Sequence, residues 1–168
     1  AIPDTFLIAD PSQQAYKAGE GAVVDGFDLE LSGALSEAWN LSTSYTHFIA
    51  RNAEGKAINT THPRTQFKLF TTYRLDGVLR DLTLGGGTTW RSGISRANTG
   101  SPNGPVDVSA DSYALVDLMA RYQISEHIAA TANLNNVFDK QYLEQVGFYS
   151  QLWYGEPRNL QLTLSARF

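Results

Sequence analysis

Residues 158–168 read RNLQLTLSARF. Leu160, Leu162, Leu164, Ala166 and Phe168 fall on one parity, and Asn159, Gln161, Thr163, Ser165 and Arg167 on the other. Successive side chains of a strand point to opposite faces, so the segment predicts a strand with one apolar and one polar face. It ends on an aromatic residue with no polar tail. Terminal strands in water are usually frayed or capped by polar residues, whereas a strand closing a barrel in lipid has reason to look like this.

The same period runs back through the chain. Gly26 to Leu35 carries Phe27, Leu29, Leu31, Gly33 and Leu35 on one side. Trp39, Leu41, Thr43 and Tyr45 alternate with Asn40, Ser42, Ser44 and Thr46. Phe67, Leu69, Thr71, Tyr73 and Leu75 form a third set, and Leu82, Leu84, Gly86, Thr88 and Trp90 a fourth. Ala114 to Tyr122 and Ile128 to Phe138 complete the series, with Asn136 interrupting the apolar side of the latter. Residues 1–9 read as the end of a further strand. No window holds a 3.6-residue repeat.

Connections alternate in length. Short turns are expected at Ser36-Glu37, Asp76-Gly77 and Ser125-Glu126, and loops over 10–21, 51–62, 95–111 and 140–157, the third without apolar periodicity. Strands of about ten residues with short turns at one end and long loops at the other predict an all-β fold of antiparallel transmembrane β-barrel strands. Backbone groups in lipid must satisfy one another, which calls for closure without a free edge. Alternation alone fits a soluble sandwich or lipocalin-like barrel equally. Two features favour the membrane. The polar parity holds many Ser, Thr, Asn and Gln and few charges. Trp39, Tyr45, Tyr73, Trp90, Tyr122, Phe138 and Phe168 sit near strand ends on the apolar parity, as interfacial girdles do.

Composition bounds the rest. The 168 residues suit one domain, and 18% charged residues is low for a soluble one. Thirteen Lys+Arg against seventeen Asp+Glu give a net charge of −4, which leaves no basic footprint for nucleic acid. The absence of Cys excludes disulfides and thiolate metal sites. No run of 18 apolar residues predicts a transmembrane helix, and the opening AIPDTFLIAD is no signal peptide. That opening and the single methionine, Met119, fit a piece of a longer chain.

No catalytic constellation stands out, and the expected metal set is none. His47, His62 and His127 are far apart and lack carboxylate or Cys partners at ligand spacing. Gly85-Gly86-Gly87 lies inside a strand with no following helix, so it reads as a bend or a close approach of another element and not as a phosphate loop. Asn59-Thr60-Thr61 matches the glycosylation sequon, a short pattern that recurs by chance.

The closing region resembles the C-terminus of TonB-dependent outer-membrane receptors. The resemblance rests on Leu134-Asn135-Asn136-Val137-Phe138-Asp139-Lys140, on Tyr142, on Tyr154-Gly155-Glu156-Pro157-Arg158-Asn159 and on the terminal aromatic. Upstream, Gly26 to Gly33 resembles the strand before the family's tryptophan turn, here Trp39. Pro63-Arg64 resembles a family strand start, with Thr65 where His is commoner. Gly155 to Arg158 resembles the ferric-siderophore branch, close to ferric-pyoverdine and ferric-hydroxamate receptors.

The resemblance implies a plugged barrel of about 22 strands, of which residues 1–168 supply the last seven or eight. It implies uptake energised by the TonB–ExbB–ExbD complex through an N-terminal region that these residues lack, as they lack the plug. The C-terminus and short turns would be periplasmic and the long loops extracellular, in the bacterial outer membrane with lipid around the wall. The chain would then be no enzyme. Iron would travel inside its chelator, so no protein-bound cofactor is expected. Phe148, Tyr149, Trp153 and Tyr154 are candidate walls of a siderophore pocket, since bulky chelates call for stacking surfaces and hydrogen bonds. An aromatic girdle or self-packing of the loop is the alternative for these rings. Arg91 and Arg96, expected at the outer end of one strand, are candidate partners of an anionic ligand, with ordinary lumen charges as the alternative. A free-standing small outer-membrane barrel with a structural or adhesive role is the second functional reading. A soluble barrel carrying a lipophilic ligand is the third.

Overall fold

The computed structural model describes residues 6–10, 15–19, 21–58, 60–99, 104, 106–146 and 152–167. Thirteen strands follow one another in these residues: β1 (Phe6–Asp10), β2 (Ala15–Gly19), β3 (Ala22–Ala34), β4 (Trp39–Asn52), β5 (Thr65–Arg74), β6 (Leu82–Arg91), β7 (Ile94–Thr99), β8 (Val106–Ala110), β9 (Tyr113–Gln123), β10 (Ile128–Asn135), β11 (Leu143–Val146), β12 (Leu152–Tyr154) and β13 (Asn159–Ala166). Seven of them make one antiparallel sheet in the order β13-β10-β9-β6-β5-β4-β3. The other six pair as the hairpins β1–β2, β7–β8 and β11–β12.

Register fixes the faces. Leu160 lies opposite Leu134, Leu134 opposite Leu118, Leu118 opposite Gly86, and Gly86 opposite Thr71. One row over, Leu162 lies opposite Ala132, Ala132 opposite Ala120, Ala120 opposite Leu84, Leu84 opposite Tyr73, and Tyr73 opposite Trp39. The apolar parity predicted for each strand therefore lies on one continuous face across the whole sheet. The polar parity brings Lys68, Arg74, Arg91, Asp117 and Arg121 onto the other. No second sheet covers the apolar face in the described residues. Leu31 is 63% exposed and Leu162 73%. A soluble sandwich would bury these leucines, so the arrangement is that of a wall whose apolar side meets lipid.

Local chemistry explains the turns. Ser36 Oγ accepts hydrogen bonds from the Ala38 and Trp39 amides at 3.3 and 3.1 Å, closing the β3–β4 turn. Gly77, at φ +66°, opens the single short 3₁₀ turn between β5 and β6. Trp39 Nε1 donates to Thr71 Oγ1 at 2.7 Å, so the indole N–H is satisfied across the strand pair. The glycine run in β6 also has a local reason. A Cβ at Gly87 would come within 2.9 Å of the Phe70 ring edge on the polar face, and one at Gly85 within 3.0 Å of Met119 Cε. Neighbouring strands make the close approach.

The sequence expectations need correcting in three loops. Residues 10–21 contain β2. Residues 95–111 contain most of β7 and all of β8. Residues 140–157 contain both β11 and β12. β11 packs against β7 and β8, and Ile94, Ala110 and Val146 bury together with Val108 and Leu143 beside them. A bulge in β11 makes this possible. The register shifts between Leu143 and Gln145, placing one extra residue there, so Leu143 and Val146 both reach the cluster despite their spacing. β10 also ends earlier than expected, at Asn135. Phe138 lies beyond it and is 75% exposed. Phe168 lies outside the described residues.

Candidate functional site

The long-connection end of the sheet gathers polar and aromatic groups. Asn136, at φ +50°, leaves the β10 ladder and is buried. Its amide donates to Asp117 Oδ1 at 2.8 Å, and its Oδ1 accepts from the Lys140 amide at 2.8 Å. Its Nδ2 donates to the carbonyls of Lys140 at 3.0 Å and Glu156 at 3.1 Å. Asp139, also at positive φ, accepts from the Arg158 amide at 2.9 Å. Asn135 donates to Asn159 at 2.9 Å. The two motifs that carried the family resemblance, 134–140 and 154–159, are therefore the two halves of one hydrogen-bonded joint at the top of β10 and β13.

Above the joint, Tyr113 and Tyr142 pack with ring centroids 4.3 Å apart. Arg91 Nη1 donates to the Tyr113 hydroxyl at 3.3 Å and lies 3.8 Å from Glu144 Oε1. That ion pair is partly exposed and is worth at most about 1 kcal/mol. Burial pushes the Tyr142 phenol up from its ordinary value, Tyr113 and the Glu144 and Glu156 carboxylates add to this, and Arg91 opposes them. The Gly155 amide donates to the Tyr142 carbonyl at 3.0 Å, and a Cβ at Gly155 would fall inside the Tyr142 ring. Any larger residue there requires the Tyr142 ring to move.

A cleft of about 330 Å³ opens beside these rings. Ser109 lines it from the end of β8, Asp111 and Ser112 from the β8–β9 turn, Lys140 and Gln141 from the segment after β10, and Tyr154 from β12. Among the expected site residues, the structure brings Tyr154 to the cleft and Arg91 to the adjoining tyrosine pair. Trp153, next to Tyr154 in a strand, lies on the opposite face of β12. Arg96 lies in the separate hairpin strand β7, opposite Val108, and not at the end of the strand that holds Arg91. Phe148 and Tyr149 lie outside the described residues. Tyr113, Asp111 and Glu144 were missed as site residues. Tyr113 sits on the polar parity among Leu, Asp and Arg, and that misplaced ring was the available signal.

Among the described residues no group of three His, Cys, Asp or Glu side chains could hold a metal. No helix in them is long and apolar enough to cross a membrane, which leaves crossing by strands open. The cleft and its rim offer hydrogen bonds, aromatic surface and charges of both signs.

A family model described as "TonB dependent receptor-like, beta-barrel" matches residues 3–137. The chain belongs to this family. It is 42% identical over 150 residues to the ferripyoverdine receptor of Pseudomonas aeruginosa, covering 89% of this chain and 18% of that one. It is 43% identical over 155 residues to the ferric-pyoverdine 358 receptor of Pseudomonas putida, covering 92% of this chain and 18% of the relative. The crystal structure of the ferripyoverdine receptor of the outer membrane of Pseudomonas aeruginosa bound to ferripyoverdine matches with a TM-score of 0.83 at 40% identity. That match covers 94% of this chain and 21% of the other. The chain thus spans about a fifth of the length of these proteins, as a contiguous run of barrel wall.

Proposed function

We propose that this chain is the C-terminal part of the barrel of an outer-membrane receptor that binds ferric siderophores and imports them with energy from TonB. The plug and the remaining strands lie outside these 168 residues, as does the segment that contacts the TonB–ExbB–ExbD complex. The C-terminus and the short turns face the periplasm. The long connections, with the hairpins β7–β8 and β11–β12, face outward. The ferric ion is cargo wrapped by its chelator, and the protein recognises the chelator's surface. Ferripyoverdine is the chelate class favoured.

The observation that carries this reading is the fit to a ferripyoverdine-bound receptor structure over nearly the whole chain at 40% identity. The polar and aromatic cluster at the long-connection end supports it. The open sheet supports a larger unit over a free-standing small barrel. Among the described residues β3 and β13 each have one neighbour, and two long unpaired edges invite pairing with further strands.

The test uses the full-length receptor in outer membranes. Ferripyoverdine should bind, and radiolabelled iron should enter cells only when TonB is present. Binding of no ferric siderophore, or uptake that ignores loss of TonB, would overturn the assignment.

A further inference from the structure

Two short segments face each other across the cleft. The end of β8 and the turn after it contribute Ser109, Asp111 and Ser112, and the segment after β10 contributes Lys140 and Gln141. Among the described residues Asp111 is the only carboxylate in the lining and Lys140 the only cation. Tyr154 offers a ring edge and hydroxyl on one side. At about 330 Å³ the space sits at the low end for small-molecule sites, which run from about 300 to 1,000 Å³. It suits one arm of a bulky chelate and not the whole of it. Hydroxyls, a carboxamide and one charge of each sign complement a chain of amide and hydroxyl groups that carries charges itself. An apolar or purely anionic group would leave Asp111 opposed or unpaired.

The cleft is also firmly placed. Lys140 is fixed at its backbone by Asn136, and Tyr142 is seated against Tyr113 and Gly155. The β7–β8 hairpin, which ends at Ala110, is held by the Ile94–Ala110–Val146 cluster. The backbone that carries both charged side chains is thus held in place, which lowers the cost of ordering the cleft around a ligand.

We propose that this cleft is a selectivity subsite for a polar part of the ferric chelate that bears amide and hydroxyl groups, in which Asp111 reads cationic groups and Lys140 anionic ones. The inference rests on the receptor reading and narrows it. Both side chains are exposed, so substitution there leaves folding intact.

The experiment measures equilibrium binding to the full-length receptor of three ferric siderophores that differ only in carrying a cationic arm, an anionic arm, or a neutral one. Asp111→Asn should weaken the cationic-arm chelate about tenfold and leave the neutral one unchanged. Lys140→Met should do the same for the anionic arm, and Asp111→Lys should reverse the preference between the two charged arms. Equal effects on all three chelates, or no effect on any, would overturn the subsite while leaving the receptor reading standing. Failure of the unaltered receptor to bind any of the three would overturn the receptor reading instead.

Discussion

Asn136 shows how much one side chain can hold. It takes a left-handed conformation, its side chain makes three hydrogen bonds, to Lys140 and Glu156, and its backbone N–H donates a fourth to Asp117. Asn tolerates that conformation better than other residues with a Cβ. Asn136→Ala should cost about 3 kcal/mol or more, read as the urea midpoint of the refolded receptor, because the three side-chain bonds go and the backbone becomes strained. Asn136→Gly should recover roughly 1–2 kcal/mol of that by relieving the strain alone. The interruption of the apolar parity at Asn136 was visible in the sequence, but two of its three partner residues, Asp117 and Glu156, come from distant segments and leave no local pattern. Gly155→Ala should push Tyr142 off Tyr113. The expected result is faster proteolysis within 141–157 and weaker chelate binding, and an unchanged digestion pattern would contradict the packing. Tyr142 also sets a pH limit. Its folded value is raised, mainly by burial. Its contribution to stability is therefore whole below the ordinary phenol value of about 10 and is lost as pH rises beyond it. Burial raises Tyr113 as well, so alkaline titration by phenolate absorbance should show late-titrating phenols, one of which Tyr142→Phe removes.

The seven wall strands were legible because a period of two survives any amount of substitution within each class, from Leu31 on β3 to Leu164 on β13. The hairpins β7–β8 and β11–β12 were not. β7 reads ISRANT and holds one large aliphatic residue, while the bulge in β11 brings Leu143 and Val146 to one side across the alternation. Their cohesion depends on contact between connections far apart in sequence. Val146 is 1% exposed, and Val146→Ala should cost roughly 1–3 kcal/mol of local stability. Amide exchange should then speed up in β7 and β8 as well as in β11, since all three share the cluster. Faster exchange confined to β11 would show that the hairpins open independently. Trp153 and Tyr154 looked equivalent in the sequence. Strand alternation separates them, and only Tyr154 reaches the cleft.

At the scale of the whole molecule, two faces divide the chemistry. The apolar face needs a nonpolar solvent, and the polar face carries the charges and the aromatic cluster at one end. The order of strands was legible from the alternation of short and long connections, because consecutive antiparallel strands pair most simply with their neighbours. An arginine on the lipid side near mid-strand, as in Leu162→Arg, should cost about 2–4 kcal/mol in folding into bilayers. Gln161→Arg, on the polar side, should cost little. The most direct test places single cysteines from Leu160 to Ser165, one at a time, in the full-length receptor, a choice eased by the absence of cysteine from this chain. Each carries a spin label in outer membranes. The account predicts strict alternation: labels at 160, 162 and 164 should respond to oxygen dissolved in lipid, and those at 161, 163 and 165 to a water-soluble reagent. Uniform water access along β13, or the opposite phase, would contradict a wall whose leucine face meets the membrane.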